Sequence, residues 1–345
     1  MKELINIQQK LLPDLIEVMR KRYSILSVVR SHEPIGRRSL AANLNLTERV
    51  LRSEVTFLRD QGLLHIGSSG MSLTEEGSST LTKLSEMMKE LSGLRVLESG
   101  LKDILNLSEV IVVPGDSDSD PWVKTELGKA AIQRLKQELK GDNVIAVTGG
   151  TTLAAVAEMM TPGSKDQELL FVPARGGLGE KVENQANTIC AAMAQKANGH
   201  YRLLHLPDQL SKDTYLSLIQ EPVIKEVMEL LHSASIVIHG IGDARTMAER
   251  RNSSSELIEK LGQERAVAEA FGYYFDKQGK VVHRVRTIGL QLEELQNSEL
   301  IMAVAGGSSK AQAISSFMKH GPKGVLVTDE GAARQLYDEL RSDYR

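Results

Sequence analysis

From residue 109 onward the chain repeats one pattern: a short apolar run rich in β-branched residues, a loop of small or charged residues, then a helical stretch. The runs cover residues 109–114, 144–147, 169–173, 236–239, 300–305 and 324–328. Apolar runs without polar alternation suit strands buried on both faces. Their alternation with helices predicts an α/β fold with a doubly wound, mostly parallel sheet of the Rossmann-like kind.

Ligands of such sheets bind at the carboxyl ends of the strands, so the loops there carry the functional reading. Gly149, Gly150, Thr151 and Thr152 lie between the strand 144–147 and a helix beginning at Leu153. Amides of that loop and of the first helical turn are expected to point outward as donors to an anion, with the helix dipole behind them and the threonine hydroxyls beside them. No Gly-Lys-Ser/Thr follows at the spacing of a nucleotide P-loop. Arg175 after the third strand and Lys310 after Gly306-Gly-Ser-Ser add a guanidinium and an ammonium, a set that suits phosphate and sugar hydroxyls. An ordinary ion pair for Arg175 and a plain helix-start lysine for Lys310 are the competing readings. Glu269, just before Phe271-Gly-Tyr-Tyr-Phe275, is either an acceptor for sugar hydroxyls or a solvated helical residue. Gln185, Asn184 and Arg250 are further polar candidates. Gly240-Ile-Gly242 is not a dinucleotide fingerprint, because Arg245 stands at its third glycine position. The histidines are scattered without metal-ligand spacing, so neither metal nor cofactor is expected.

A length of 345 residues implies two or three units. Cys190, the single cysteine, excludes an internal disulfide. No apolar stretch approaches the roughly 20 residues of a membrane span, and the first residues lack the apolar core of a signal peptide. Membrane partners are therefore not expected, and a cytoplasmic location is.

Charge is unevenly spread. Residues 20–59 hold nine Lys/Arg against three acids, a local +6 in a chain of net charge −3, which points to a nucleic-acid module on an acidic protein. Tyr23 to Arg30 reads as a first helix, and residues 1–20, with Leu4, Leu11, Leu12, Leu15, Ile16 and Met19 apolar, as an additional one. A second helix runs from Arg37 with Leu40, Ala41 and Leu44 on one face, and Asn45-Leu46 is the turn. Thr47 caps a third helix whose apolar face is Val50, Leu51, Val55 and Leu58. Residues 63–66 and 71–74 around Gly67-Ser-Ser-Gly70 form a hairpin. This order is the winged helix-turn-helix layout, expected over residues 1–77. Arg49, Arg52, Ser53 and Thr56 on the third helix would enter the major groove, and Arg37 and Arg38 would hold phosphates.

Residues 78–106 read as a helical connector. Leu81, Leu84, Met88 and Leu91 form a short seam that either pairs two chains or packs on its own domain. Residues 107–345 form the effector domain.

Taken together, these stretches resemble the SorC family of bacterial transcriptional regulators, within the broader DeoR-like group. The resemblance rests on Glu33-Pro-Ile-Gly-Arg-Arg-Ser-Leu40, Thr47-Glu-Arg-Val-Leu-Arg52, Val147-Thr-Gly-Gly-Thr-Thr-Leu153, Val172-Pro-Ala-Arg-Gly-Gly177, Glu183-Asn-Gln-Ala-Asn187 and Ala305-Gly-Gly-Ser-Ser-Lys310. It spans nearly the whole chain. It implies a repressor of a glycolytic operon whose effector domain is related to sugar-phosphate isomerases and deaminases, with fructose 1,6-bisphosphate as inducer. It also implies that Gly149, Gly150, Thr151, Thr152 and Lys310 hold one phosphate. Arg175 with Arg250 would serve elsewhere on the ligand, and Gln185 and Glu269 would read hydroxyls. Operator DNA, the sugar phosphate and a second copy of the chain, as dimer or tetramer, are the expected partners. The alternative is an isomerase- or deaminase-type enzyme with a DNA-binding appendage, which needs an acid and base pair at the substrate carbon. A third reading, a nucleoid or scaffolding protein, predicts DNA binding indifferent to metabolites.

Overall fold

The computed structural model describes residues 13–91, 93–164, 167–177 and 181–343, and the chain divides into two units, Met1–Arg95 and Val96–Arg345. In the first unit, α1 (Pro13–His32) joins two stretches expected to be separate helices. Nothing between them breaks a helix, since Arg20, Lys21 and Arg22 are all good helix formers. Its later turns bury Ile25, Leu26, Val28 and Val29. Leu4, Leu11 and Leu12 of the expected N-terminal helix lie outside the described residues.

A short helix α2 (Arg37–Asn43) buries Leu40 and Ala41, and the turn after it sets Asn45 in the left-handed region at φ 53°. Thr47 Oγ1 then accepts the Val50 amide at 3.3 Å and starts α3 (Glu48–Asp60). Such a cap contributes about 1 kcal/mol. Leu51, Val55 and Leu58, spaced by four and three, form the buried stripe of α3. Val50, expected on that face, is 39% exposed, because one residue back turns a side chain about 100° round the helix. Strands β1 (Leu64–Gly67) and β2 (Gly70–Leu73) pair antiparallel, and Ile35 exchanges two backbone hydrogen bonds with Met71 at 3.0 and 2.8 Å. Gly70 has φ 135°, and a Cβ there would sit 2.8 Å from the Ile35 carbonyl oxygen, so only glycine fits. The element order and hairpin are those of the expected layout.

Helix α4 (Glu75–Leu91) carries the seam. Leu81 and Met88 are buried within their own chain, and Met88 packs with Leu84, Met19 and Tyr23. Within one chain, this part of the seam packs on α1.

The second unit begins with the rest of α5 (Leu94–Leu105). It then runs β3 (Glu109–Val113), α6 (Val123–Glu138), β4 (Asn143–Val147), α7 (Thr151–Glu158), β5 (Leu169–Pro173), α8 (Ala186–Ala197) and β6 (His200–Tyr201). Helices α9 (Lys212–Leu218) and α10 (Pro222–His232) lead to β7 (Ile236–His239). After a small antiparallel sheet come β12 (Leu300–Val304), α13 (Ala311–His320), β13 (Val325–Asp329) and α14 (Glu330–Asp343). Seven strands pair in parallel in the order β3-β13-β12-β7-β4-β5-β6. Ile145 and Val147 on one face and Ala146 on the other are all fully buried, so helices cover both sides. Leu127, Ala131 and Leu135 of α6 pack with Ile189, Cys190 and Met193 of α8 against that first face.

The small sheet was not expected. Its order is β11-β10-β9-β8, built from β8 (Gly242–Asp243), β9 (Ala266–Ala270), β10 (Tyr273–Asp276) and β11 (Val281–Arg284). Ala266-Val-Ala-Glu-Ala270 has helix-forming composition, yet Phe271 at φ 53° and Gly272 at φ 81° turn it into a hairpin with β10. Tertiary pairing overrides the local preference.

Candidate functional site

Strand order reverses between β4 and β7. From β4 the chain moves outward to β5 and β6; from β7 it moves the other way to β12 and β13. Loops leaving two such strands diverge and open a crevice at their carboxyl ends. The cavity found there has about 800 Å³ of empty space including its mouth. Gly149, Gly150, Thr151, Thr152, Arg175, Gln185, Arg250, Glu269 and Lys310 all line it, so the structure brings together every effector residue singled out in the sequence.

The loop after β4 is tied down on one side. Gly150 at φ 121° donates its amide to the Asn184 carbonyl at 2.8 Å, and a Cβ on Gly149 would meet that same oxygen at 2.7 Å. Gly150 therefore does not offer the free amide expected of it. Among the described residues, the amides of Gly149, Thr151, Thr152 and Leu153 have no protein acceptor, so four donors remain at the start of α7. Thr152 is 5% exposed. Thr148, not expected in the site, lines the cavity and accepts the Gly240 amide at 3.1 Å, which ties the β4 loop to the β7 loop.

The second glycine-rich loop differs more. Gly307 donates its amide to Asp329 at 2.7 Å, Ser308 to Asp116 at 3.2 Å and Ser309 to Asp118 at 2.7 Å. The amides of residues 307–309 thus serve aspartates, two of them in the acidic loop, and none is left for an anion. Only Lys310 of that stretch reaches the cavity wall. Burial pulls its ammonium below the usual lysine range, helped by the Lys124 and Arg250 charges and opposed by Asp118 and Asp329. Lys124, in the first turn of α6, was not singled out in the sequence. Two cations close enough to disfavour the Lys310 charge, at a cavity wall, point to an anion site.

Glu269 is neither helical nor solvated: it sits on β9, 4% exposed. Its Oε1 accepts from the Gly272 amide at 2.6 Å and from Arg251 Nη2 at 2.8 Å. Arg175 is 6% exposed and pairs with Asp208 and Glu269, so a surface ion pair is excluded. Arg250 is exposed and Gln185 half-buried at the cavity wall. Arg251 and Asp208 were missed. Ala244, Ala248 and Arg251 share the buried face of α11 (Ala244–Arg250) and its C-cap, a spacing that could have flagged Arg251; Asp208, in a loop, has no such signal.

In the first unit, Arg37, Arg38, Arg49, Arg52, Ser53 and Thr56 are all exposed. Arg38 lies 3.8 Å from Glu48, while Lys21 and Arg22 both pair with Glu54 at 2.9 Å and brace α1 against α3. Part of the basic block is thus structural. Among the described residues Arg49 and Arg52 have no ion-pair partner; Arg49 stands on the face of α3 opposite its buried stripe and Arg52 on the flank of that stripe.

The profile of the CggR N-terminal DNA binding domain matches residues 18–88, and that of a sugar-binding domain matches residues 89–338. The chain is 60% identical to the central glycolytic genes regulator of Priestia megaterium over 97% of this chain and 98% of that protein. The chain belongs to the central glycolytic genes regulator family. Its Bacillus subtilis member is 57% identical over 97% of this chain and 99% of its own length. Among solved structures, a SorC family transcriptional regulator from Enterococcus faecalis is 47% identical, with TM-score 0.67, over 70% of this chain and 98% of that one. The full-length sorbitol operon regulator SorC of Klebsiella pneumoniae, 18% identical with TM-score 0.66 over 88% of this chain and 94% of that one, shares the fold. The family is one of DNA-binding transcriptional regulators with a sugar-binding domain, not of enzymes. Among the described residues no helix is long and apolar enough to cross a membrane.

Proposed function

We propose that the protein represses a glycolytic operon and that fructose 1,6-bisphosphate, bound in the cavity at the switch point, relieves its hold on the operator. The observation that carries this reading is that four unshared amides at the start of α7 line the same cavity as the cations Lys310 and Arg250, with the Lys124 charge acting on Lys310. Donors and positive charge together favour a phosphorylated ligand. The relatives named for central glycolytic genes support a glycolytic sugar phosphate among the candidates. Thr151, Thr152 and Lys310 would take a phosphate, Arg175 and Arg250 the other end, and Gln185 and Glu269 the hydroxyls. An enzyme's acid and base pair is not favoured, because Glu269 Oε1 is already occupied by Gly272 and Arg251. No cofactor is called for.

On the DNA side, Arg49, Arg52, Ser53 and Thr56 would read the major groove, with Arg37 and Arg38 on phosphates. The protein would act as a homo-dimer or tetramer, since two half-sites need two modules. Coupling is by linkage: an effector that prefers one assembly over the other shifts operator binding by its difference in affinity. Titration of labelled operator with the protein, with and without fructose 1,6-bisphosphate, tests this. Binding weakened by the sugar is expected; binding indifferent to it contradicts the proposal.

A further inference from the structure

Four buried side chains close a ring at one wall of the cavity. Arg175 Nε lies 2.5 Å from Asp208 Oδ1, and Asp208 Oδ2 accepts from Arg251 Nε at 2.8 Å. Arg251 Nη2 donates to Glu269 Oε1 at 2.8 Å, and Arg175 Nη1 returns to that oxygen at 3.4 Å. The charges alternate round the ring and cancel, and no member's side chain is more than 7% exposed. Arg175, Arg251 and Glu269 line the cavity; Asp208 does not. Arg251 Nη1 also donates to the Tyr274 hydroxyl at 2.9 Å, which fixes the guanidinium from a third side. Arg175 Nη2 is buried and, among the described residues, has no hydrogen-bond partner; the same holds for Arg175 Nε and Asp208 Oδ1, so the contact between those two is an ion pair and not a hydrogen bond.

We propose that Asp208 is a positioning residue for the sugar-reading end of the site. It clamps both arginines from outside the cavity, so that Arg175 keeps Nη2 for a ligand oxygen and Glu269 keeps a fixed place for hydroxyls. This rests on the reading of the cavity as a sugar-phosphate site. The physical reason is the count of charges. Without Asp208, two guanidiniums share one carboxylate, Glu269 is drawn wholly into pairing, and both long side chains regain the rotamers that binding must then freeze. Asp208 is itself firmly placed: its amide donates to the Gly177 carbonyl at 2.8 Å, and Gly177 donates to the Leu206 carbonyl at 2.9 Å. The phosphate end, Gly149 to Thr152 with Lys310, contributes nothing to the ring, so its binding should be separable.

Calorimetric titration of the full chain with fructose 1,6-bisphosphate, and separately with inorganic phosphate, reads the two ends. D208N removes the charge and keeps the shape. The expected result is a loss of roughly 10-fold or more in affinity for the bisphosphate, with inorganic phosphate changed by less than about 2-fold. D208E, which restores the charge, should recover part of the sugar affinity. R251K keeps a buried charge but cannot reach Asp208, Tyr274 and Glu269 at once, and should show the same fall in the ratio. It decides the matter if D208N lacks a cooperative unfolding transition. Equal loss of both ligands, or no loss of either, overturns the inference. If the wild-type chain takes up neither ligand, the reading of the cavity fails first, and that outcome is visible before any variant is made.

Discussion

The Asp118 carboxylate accepts the Ser309 amide at 2.7 Å, one residue before Lys310. A Cβ on Gly307 would collide with the same carboxylate, so the glycine lets the acidic loop dock there. Burial pushes the Asp118 carboxyl up, but hydrogen bonds from Ser309 and Ser308 and the Lys310 charge outweigh it and hold the group below the usual carboxylate range. An anion built into the protein thus sits beside a cation that the ligand's phosphate would also use.

Asp118→Asn should therefore tighten effector binding. The amide can still accept from Ser309, so the loop stays docked while one competing charge disappears. A gain of roughly 3- to 10-fold in affinity for fructose 1,6-bisphosphate is expected by calorimetry, shrinking as salt is added. Unchanged affinity at low salt would show that Asp118 is only a brace for the loop.

Thr152→Val should separate the sugar response from DNA binding. Valine has nearly the same shape, and Thr152 is 5% exposed at the start of α7, so folding is expected to persist. A hydroxyl donating to a charged group contributes about 1.5–3 kcal/mol, which corresponds to a loss of roughly 10- to 100-fold in sugar-phosphate affinity. Operator binding without sugar should be as in the wild type. A variant that still releases the operator at the wild-type sugar concentration contradicts the site assignment.

Arg52→Ala makes the converse case. The side chain is exposed on α3 and braces nothing among the described residues, so its loss should leave stability within about 0.5 kcal/mol. Operator affinity should fall by roughly 5- to 100-fold if Arg52 reads a base edge, with sugar affinity unchanged. A uniform loss across DNA sequences with a smaller salt slope would move Arg52 from bases to phosphates.

His239 predicts a pH dependence of stability. Its ring is buried between Phe271 and Phe317, at 4.9 and 5.2 Å between centroids, with Nδ1 3.0 Å from the Gly240 oxygen. Burial holds its pKa down at about 4, against the pull of that carbonyl. As pH falls below about 6.5 the unfolded chain takes up a proton that the folded one refuses, so stability drops until the folded ring also protonates near pH 4. The loss from this group is about 3 kcal/mol across that window. Urea unfolding at pH 7 and pH 4.5 measures it, and His239→Gln should flatten the difference by a similar amount. The same acid loss in the variant would assign it to other groups.

The large sheet was legible because its strands are continuous apolar runs, and the loops after β4, β5 and β12 announce themselves by glycine, hydroxyl and charge. That placed every singled-out effector residue at one cavity. What the sequence did not disclose depends on contacts between distant segments. Glu269 lies in a segment of helix-forming composition and becomes a strand only through pairing with β10. Asp208 has no local pattern and acquires its place from Arg175 and Arg251, 33 residues before it and 43 after it. The 306–310 loop was read as anion-binding from its composition, but three of its amides go to aspartates that are remote in sequence. For Gly150, φ 121° follows from being glycine, whereas the acceptor at Asn184 does not.

The most direct test of the central claim, that this cavity takes a phosphorylated sugar, is a thermal-shift scan of the purified chain against sugar mono- and bisphosphates. A ligand at about 100 times its dissociation constant adds about 2.7 kcal/mol to the folded state. The account predicts a clear upward shift with fructose 1,6-bisphosphate that Thr152→Val loses. No shift with any sugar phosphate would contradict it.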